Sequence, residues 1–574
     1  MSAAAQGLVR LPVWRARFVL AALLAAFAVL AARSLYLQAM RTDFLQEKGD
    51  ARYSRVIHVP ATRGRILDRN GEALAISTPV KSIWAIPADA ELSRKQRRAL
   101  GALLGVDAAE LQTKLADTSR DFVYLKRLVA PETAEAVASL GLSGIHQHRE
   151  YRRYYPAGEV TAHIIGFTGV DDTGQEGVEL AHQARLGGTP GSRRVLRDRL
   201  GRIVEDVESI RAAQDGHDLV LSIDATLQSL AYSALKGAVL QHRAKAGGLV
   251  ALDVRSGEIL ALANVPSYNP NNRARLTGAQ LRNRVITDLF EPGSTLKPFT
   301  VALAIETGKV TPRTSIATGQ GRFPLASYTI RDLHPAASLS VAQVLQKSSN
   351  VGAAKLALAL PREAMWDLFR RAGFGAAPEL GFPGAAAGRL RHYREWRTIE
   401  QATMGYGHGI SVSLVQLARA YTLFARDGEL VALTLVRSGA VASGEKVLSA
   451  EAARAVRRML ELAVQPGGTG PRARIMGWRV AGKTGTAHKQ ENGGYASDKY
   501  LASFVGLAPA SAPRVVVAVM IDEPSAGEYY GGTVAAPVFA QVMERALRLL
   551  AVPHDAPLEP VRMPGPGEVA KEST

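Results

Sequence analysis

The stretch that decides the fold is Glu291-Pro292-Gly293-Ser294-Thr295-Leu296-Lys297-Pro298-Phe299, where a loop leads into a helix with a serine and a lysine three residues apart. The apolar run Phe299 to Ile305 predicts a buried helix, and Pro298 fits its first turn, where a missing backbone N–H is tolerated. Residues i and i+3 share one helix face, so Lys297 is expected to reach the Ser294 hydroxyl. Lys297 would then act as its base, provided that burial or a nearby cation lowers the lysine pKa from about 10.4 toward neutrality.

The spacing alone is weak evidence, because the chain repeats it in Ser443-Gly444-Glu445-Lys446, which is predicted to be a polar turn. The alternative for any single match is a capping serine followed by a solvated lysine. Other parts of the chain must therefore decide whether Ser294 is catalytic.

The composition sets broad limits on the class of protein. A chain of 574 residues with 47% hydrophobic content is large enough for several domains with real cores. The net charge of +18 would suit nucleic acid, anionic lipid or an acidic polymer, but it equally describes an arginine-rich solvated surface. Aromatic content of 6% and the lack of a helix-turn-helix or zinc-finger pattern disfavour nucleic acid. Zero cysteines exclude disulfides and thiolate chemistry, and the histidines show no metal-ligand spacing.

The N-terminus carries an unbroken apolar run, Phe18 to Ala32, which continues beyond Arg33 to Met40. One interpretation is a cleaved signal peptide ending near Val29-Leu30-Ala31. The favoured one is a membrane anchor over residues 18–40, which would span about 35 Å as a helix. Arginines ahead of the run predict a cytoplasmic tail at residues 1–17 and place the rest of the chain outside the inner membrane.

We predict that residues 41–215 form a first extracytoplasmic domain. Val56 to Ser77 alternates in short strands around the turn Asp68-Arg69-Asn70-Gly71. Pro87 to Leu140 is predicted to be helical and amphipathic, with Leu92, Leu100, Leu103, Leu104 and Leu111 on its apolar face and Arg94, Lys95, Arg97 and Arg98 on its solvated face. A ligand-binding basic patch is the alternative interpretation of those four cations.

We predict that residues 216–551 form a second domain. The strand Asp218 to Asp224 is followed by a helix over Ala225 to Gln241 and by two strands, Gly247 to Val254 and Glu258 to Ala263. Residues 552–574 form a polar tail rich in proline, for which we predict disorder.

A second candidate part of the site is Lys347-Ser348-Ser349-Asn350, a polar break between apolar helices over Val341 to Gln346 and Val351 to Leu360. Such a break can project Ser348 and Asn350 into a cleft, although capping residues in an ordinary turn explain it as well. The pattern also recurs in the loop Ser267-Tyr268-Asn269, so it is not specific by itself.

The third part is a predicted strand, Trp478 to Ala487, that carries Lys483-Thr484-Gly485-Thr486. A missing side chain at Gly485 would let another backbone pair with this strand. Lys483 supplies positive charge, and Thr484 and Thr486 supply donors that suit a carboxylate. The alternative is an ordinary strand with a glycine kink.

The three elements occur in the order Ser-x-x-Lys, Ser-x-Asn, Lys-Thr-Gly, and this order resembles the signature of penicillin-binding proteins and class A β-lactamases. Arg63 to Gly71, Tyr155 to Gly158 and Gly174 to Glu179 resemble the pedestal signatures of class B penicillin-binding proteins. Asn350, where the elongation-specific branch usually has Asp, and Tyr529-Tyr530-Gly531-Gly532 resemble the division-specific septal branch.

The resemblance implies an α/β (α+β) penicillin-recognising serine transpeptidase domain, an antiparallel sheet with flanking helices, preceded by a β-rich elongated pedestal and one transmembrane helix. It implies a peptidoglycan D,D-transpeptidase that β-lactams inhibit, with no cofactor and no metal. Catalytic roles fall on Ser294, Lys297, Ser348 and Lys483, and substrate binding on Asn350, Thr484, Gly485 and Thr486. The backbone N–H groups of Ser294 and Thr486 would form the oxyanion hole.

Implied partners are stem peptides, an FtsW-type lipid-II glycosyltransferase and other division proteins. The motifs alone also fit a D,D-carboxypeptidase, a β-lactamase or an elongation-specific transpeptidase. A catalytically silent division scaffold or antibiotic sensor is the alternative outside the enzymes.

Overall fold

The computed structural model describes residues 12–40, 54–197, 203–491 and 494–559. The strands are β1 Ser54–Val59, β2 Ile66–Leu67, β3 Ala73–Ala85, β4 Val123–Val129, β5 Ile145–Tyr154, β6 Gly191–Arg197, β7 Ile203–Arg211, β8 Leu219–Val220, β9 Ala246–Asp253, β10 Ile259–Val265, β11 Ser315–Ala317, β12 Arg322–Leu325, β13 Tyr328–Arg331, β14 Ser338–Ser340, β15 Glu429–Val431, β16 Gly444–Lys446, β17 Ala481–Glu491, β18 Gly494–Ala508 and β19 Val515–Asp522.

The helices are α1 Val13–Leu35, α2 Arg94–Leu104, α3 Ala108–Leu115, α4 Pro131–Ser139, α5 Ala162–Ile165, α6 Gly177–Ala181, α7 Gln183–Leu186, α8 Ala225–Gln241, α9 Gly278–Leu281, α10 Arg284–Thr287, α11 Lys297–Glu306, α12 Val341–Gln346, α13 Asn350–Ala359, α14 Arg362–Arg371, α15 Thr398–Met404, α16 Leu414–Ala425, α17 Ala450–Ala463, α18 Gly531–Val534 and α19 Ala536–Leu549.

The N-terminal helix α1 starts at Val13, five residues before the predicted anchor, and continues as a π-helical turn over Tyr36–Met40. By length and composition, Val13–Gln38 is apolar enough to cross a membrane, and its most apolar stretch is not buried against the protein. An exposed apolar helix of 26 residues would be about 39 Å long, which exceeds the hydrocarbon thickness of a bilayer.

The chain folds into two compact units, the first made of Met1–Thr62, Pro79–Glu150 and Gly188–Asp215. In this unit β1, β6 and β7 form an antiparallel sheet. Helices α2 to α4 bury Leu100, Leu104 and Leu111 as predicted, whereas Leu103 is 38% exposed.

The prediction that Pro87 to Leu140 is helical is wrong in one part, because Val123–Val129 is strand β4. Its residues pair antiparallel with Lys81 to Ala85 of β3, and Leu125 and Val129 enter the same core as the helices. Pairing with a distant strand overrides the local helical pattern, which a reading of neighbouring residues does not capture.

The second unit contains Arg63–Thr78, Tyr151–Gly187 and Gly216–Thr574. Two segments that the sequence assigned to the first domain therefore group with the C-terminal part. The predicted turn Asp68 to Gly71 joins β2 to β3 and places Gly71 at a φ of 92°, while β2 pairs in parallel with β8. The predicted strand over Asp218 to Asp224 is shorter than expected, covering only Leu219–Val220.

A buried ion triad stabilises these segments. Arg63 Nε lies 2.6 Å from one carboxylate oxygen of Glu179, and Arg153 Nε lies 2.7 Å from the other. All three side chains are at most 1% exposed, and Arg153 also donates to the carbonyl of Gly64. The pedestal-like motifs around Arg63 and Glu179 thus encode one charge cluster within this unit.

The centre of the second unit is a five-stranded antiparallel sheet in the order β10-β9-β19-β18-β17. Leu249 and Ala251 of β9 point into one core with α8 and α19, and Val250 and Leu252 point into the other core with α11 and α16. This alternation is the period of two of a strand that is covered on both faces. Strand β17 is the last strand of the sheet, and its use as a docking edge stays a prediction.

The segment predicted to be a disordered tail starts with residues that pack on this unit. The indole N–H of Trp478 donates to the carbonyl of Pro553 at 3.1 Å, and Asp555 accepts from the backbone of Arg479 and the hydroxyl of Ser511. The aromatic contact of His554 with Trp478 explains why a polar, proline-rich composition still orders here. Residues 560–574 lie outside the described residues.

Candidate active site

Ser294 lies on a tight turn that leads into a buried helix. Residues Gly293–Leu296 form a single 3-10 turn, and α11 continues from Lys297 with Pro298 in its first turn, as predicted. Gly293 has a φ of 53°, a conformation that glycine adopts without a steric penalty. The carbonyl of Thr295 accepts a hydrogen bond from the Tyr421 hydroxyl at 2.8 Å, which fixes the turn from the α16 side.

Lys297 contacts the predicted nucleophile directly. Its Nζ donates to Ser294 Oγ at 2.9 Å, to Ser348 Oγ at 3.1 Å and to the backbone carbonyl of Ser348 at 2.6 Å. The lysine is fully buried and Ser294 is 2% exposed. The predicted i, i+3 contact is therefore present. The second Ser-x-x-Lys match, Ser443 to Lys446, was predicted to be a polar turn, and its last three residues form the short strand β16.

Ser348 connects the nucleophile to a second lysine. Its hydroxyl donates to Ser294 Oγ at 3.0 Å and accepts from Lys483 Nζ at 2.9 Å. The Ser348 backbone has a φ of 59°, a left-handed conformation that is uncommon for a serine. This conformation separates α12 from α13 and turns the hydroxyl toward Ser294.

Ser349 and Asp332 hold the Ser348 loop from behind. The Ser349 hydroxyl accepts from the backbone N–H of Gly352 and donates to Asp332, whose other carboxylate oxygen accepts from the backbone of Val351. Ser349 is thus the N-cap of α13. Asn350 is 6% exposed, and its amide donates to the carbonyl of Arg331 at 3.4 Å.

The edge strand β17 brings Lys483 into the same cluster. Thr484 and Thr486 are 1% and 2% exposed, their hydroxyls contacting Thr469 Oγ1 and the backbone N–H of Gly531 respectively. The structure gives a second reason for a glycine at position 485, beside the predicted docking of another backbone, which stays a prediction. A Cβ there would lie 2.4 Å from Ser503 Oγ and 3.1 Å from the Pro292 carbonyl, so the missing side chain lets β17 approach the Ser294 turn.

Glu291 is a site residue whose role the sequence did not indicate. It is 9% exposed, and its Oε1 accepts from the backbone of Gly409 at 2.8 Å and from Gln490 at 2.9 Å, while its Oε2 accepts from Tyr495 at 2.9 Å. His408 Nδ1 lies 3.2 Å from Oε2. Burial alone would raise the carboxyl pKa of Glu291, but the hydrogen bonds from its neighbours hold that pKa below its ordinary value.

Through these contacts Glu291, which we call the Glu291 hub, connects the turn that carries Ser294 with the β17–β18 hairpin and with the loop that contains His408. Burial, followed by the charge of Glu291, raises the pKa of the Tyr495 hydroxyl to about 12, so that hydroxyl remains a donor at neutral pH. Thr469, Asp332 and Tyr421 were also missed. The sequence signal that could have pointed to this role is an acidic residue three positions before the predicted nucleophile, directly after Leu289 and Phe290.

The chain as a whole matches known proteins. Residues 247–544 match the family described as the penicillin binding protein transpeptidase domain, and residues 58–221 match the penicillin-binding protein dimerisation domain. A probable peptidoglycan D,D-transpeptidase PenA of Neisseria gonorrhoeae is 45% identical over 548 residues, covering 95% of this chain and 94% of that protein. The peptidoglycan D,D-transpeptidase FtsI of Escherichia coli K12 is 43% identical over 549 residues, covering 95% and 93%.

A solved structure agrees with the fold of the second unit. The apo transpeptidase domain of Burkholderia pseudomallei penicillin-binding protein 3 is 50% identical, with a TM-score of 0.55, and covers 59% of this chain and 98% of that one. The antiparallel sheet, the serine and the domain order therefore define a penicillin-recognising transpeptidase. The chain belongs to the class B penicillin-binding proteins, which confirms the family and fold class predicted from its motifs.

Proposed function

We propose that this chain is a D,D-transpeptidase that cross-links peptidoglycan stem peptides at the division septum through an acyl-enzyme on Ser294. The observation that carries the proposal is the buried hydrogen-bond chain from Lys297 through Ser294 and Ser348 to Lys483. Such a chain can remove a proton from a nucleophile and deliver it to a leaving amine. The names of the relatives point the same way.

In the first half-reaction, Ser294 Oγ attacks the carbonyl between the two terminal D-alanines, and its proton passes to Lys297 Nζ. Lys297 and Lys483 are both fully buried and both contact Ser348, and burial and a like charge both favour a neutral amine. The peptide C–N bond then breaks, and Ser348 relays a proton to the departing D-alanine amine. An ester on Ser294 remains.

The binding roles follow from the positions around Ser294. Backbone N–H groups of Ser294 and Thr486 would stabilise the oxyanion, each by about 3 kcal/mol in the transition state. Lys483, Thr484 and Thr486 would bind the terminal carboxylate, and Asn350 would hold an amide of the donor peptide. In the second half-reaction an amine of a neighbouring stem attacks the ester, loses its proton to the lysine–serine chain, and releases Ser294.

We also propose a single-pass topology, with residues 1–17 in the cytoplasm and the rest of the chain after the anchor outside the inner membrane. That outer part would consist of a pedestal domain (41–215) followed by a transpeptidase domain (216–551). The support is α1 together with the arginines at positions 10, 15 and 17. An FtsW-type lipid-II glycosyltransferase would be its partner in the membrane. Co-purification with such a protein, lost when α1 is exchanged for an unrelated span, would test this.

The activity is tested with the full chain in detergent, a pentapeptide that ends in D-alanyl-D-alanine, and a free amine acceptor. We expect release of one D-alanine per cross-linked product, and a stable mass adduct on Ser294 with a β-lactam. Hydrolysis of that adduct within seconds would favour a carboxypeptidase or β-lactamase instead. Normal septation supported by Ser294→Ala would favour a silent scaffold.

A further inference from the structure

An open groove of about 580 Å³ includes Asn350 in its lining, and its other lining residues have no role in the chemistry proposed above. It is lined by Tyr328 and Arg331 of strand β13 and by Arg391 and Arg397. Because the Asn350 amide donates to the Arg331 carbonyl, the groove is continuous with the loop that carries Ser348.

The groove carries an excess of positive charge. Arg331, Arg391 and Arg397 line it, and Glu400 is the one acidic residue among its lining residues. Arg391 Nη2 lies 2.9 Å from one oxygen of Glu400, and Arg397 Nε lies 3.3 Å from the other. Arg391 and Arg397 thus pair with Glu400, and Arg331 adds a third cation to the lining, which leaves a net positive charge that suits an anionic ligand.

The arginines differ in how firmly they are held. The backbone N–H of Arg397 is the largest cause that lowers the pKa of Glu400 to about 2, so Glu400 stays ionised and orients Arg391. The Arg397 side chain is 79% exposed and Arg331 is exposed as well. Both residues line the groove and are open to solvent, and a guanidinium can bind a carboxylate through two parallel hydrogen bonds.

The direction of a bound donor peptide leads into this groove. If its terminal carboxylate lies at Lys483, Thr484 and Thr486 and its scissile carbonyl at Ser294, its upstream residues must continue past Asn350. Tyr328 and Tyr495 supply flat apolar surface along that course. The groove is therefore placed to read the part of the stem peptide that precedes D-alanyl-D-alanine.

We propose that Arg331 and Arg397 bind a carboxylate of the donor stem peptide upstream of its terminal D-alanyl-D-alanine, and so select acidic stems over amidated ones. This inference rests on the proposed function, because it takes the orientation of the donor from it. The ligand class is an acidic peptide that carries a free carboxylate next to its acylating end.

The test uses two peptides that end in D-alanyl-D-alanine and differ only in a carboxylate or a carboxamide at the upstream position. D-Alanine release is measured for each, and the concentration of active enzyme is set by titration of Ser294 with a β-lactam. We expect the unaltered chain to prefer the carboxylate peptide by about fivefold to twentyfold in kcat/KM. The preference should fall in 1 M salt, where the Debye length drops to about 3 Å.

In Arg331→Gln with Arg397→Gln the ratio of the two rates should approach one, and in Arg545→Gln on α19, a residue outside the groove lining, it should stay as in the unaltered chain. Using the ratio cancels general effects on Ser294. Should the double variant fail to fold, Arg397→Gln alone must lower the ratio at least twofold.

Equal rates for both peptides in the unaltered chain, or an unchanged ratio in the variants, would overturn the groove assignment. Failure of the β-lactam titration in the unaltered chain would instead overturn the proposed function, so the two failures are distinguishable.

Discussion

Ser348 Oγ lies 3.0 Å from Ser294 Oγ, although 54 residues separate them in the chain. The contact joins the end of one interhelical turn to the start of a buried helix and leaves both hydroxyls between two lysines. Chemistry at Ser294 would therefore depend on residues from three motifs that lie far apart in the chain.

Ser294→Ala should abolish covalent labelling by a β-lactam, with a loss of at least about 10⁴-fold in acylation rate, because it removes the oxygen on which the proposed ester forms. Intact-protein mass spectrometry measures the adduct. Ser443→Ala removes the serine of the repeated Ser-x-x-Lys spacing and is the matched control, which should label at the rate of the unaltered chain.

Ser348→Ala should lower the acylation rate by about 10²-fold to 10⁴-fold while leaving thermal stability nearly unchanged, because it breaks the proton path and removes one oxygen. Ser349→Ala, one residue later, should do the reverse. It removes the N-cap of α13 and should cost about 1–2 kcal/mol of unfolding free energy. Stopped-flow acylation and calorimetry distinguish the two, and equal effects in both assays would contradict the division of roles.

Gly485→Ala should slow acylation by about 10-fold to 100-fold, because its Cβ would displace β17 from the Ser294 turn and misplace Lys483. Gly237→Ala in α8 meets nothing within 4 Å and should slightly stabilise the helix without changing the rate. A Gly485→Ala variant that acylates normally would mean that the strand can shift without moving the site.

Glu291→Gln should destabilise the chain most at neutral pH. The folded-state pKa of Glu291 lies below its ordinary value of 4.5, so the carboxylate contributes stability above that range and loses it as the pH falls through the folded-state pKa. The difference in melting temperature between Glu291→Gln and the unaltered chain should therefore be largest at pH 7 and should shrink toward pH 3. A difference that is constant with pH would refute this electrostatic role.

Arg63→Gln should cost about 3–5 kcal/mol of unfolding free energy, because it leaves Glu179 buried with one of its two arginines removed. Urea unfolding of the full chain measures the loss. Arg65→Gln breaks the exposed pair with Asp218 and should change stability little, since solvent screens that interaction. Similar losses in both variants would contradict the importance of burial.

The meeting of Ser294, Lys297, Ser348 and Lys483 was predictable because each part has a local signature, while their catalytic roles stay predictions. The i, i+3 contact of Ser294 with Lys297 follows from helix geometry, and the helices α8 and α12 occupy the predicted ranges. Strand β17 also lies where the sequence placed it, within three to four residues at either end.

What the sequence did not reveal depends on contacts between distant segments. Strand β4 forms because β3 is available to pair with it, and the Glu291 hub joins residues 118 and 204 positions away in the chain. The close approach of Gly485 to Ser503 and Pro292 was not predictable either, because both lie far from it in the chain. The domain boundaries at residues 215 and 551 stay predictions.

The left-handed backbone conformation of Ser348 lowers the stability of the folded chain, while its hydroxyl serves the proposed reaction. A non-glycine residue in this conformation costs about 1 kcal/mol, and glycine or asparagine would relieve that cost. Either replacement would also delete the hydroxyl that joins the two lysines. Selection for a more stable chain would thus favour losing this serine, and the residue persists only as long as the reaction is needed.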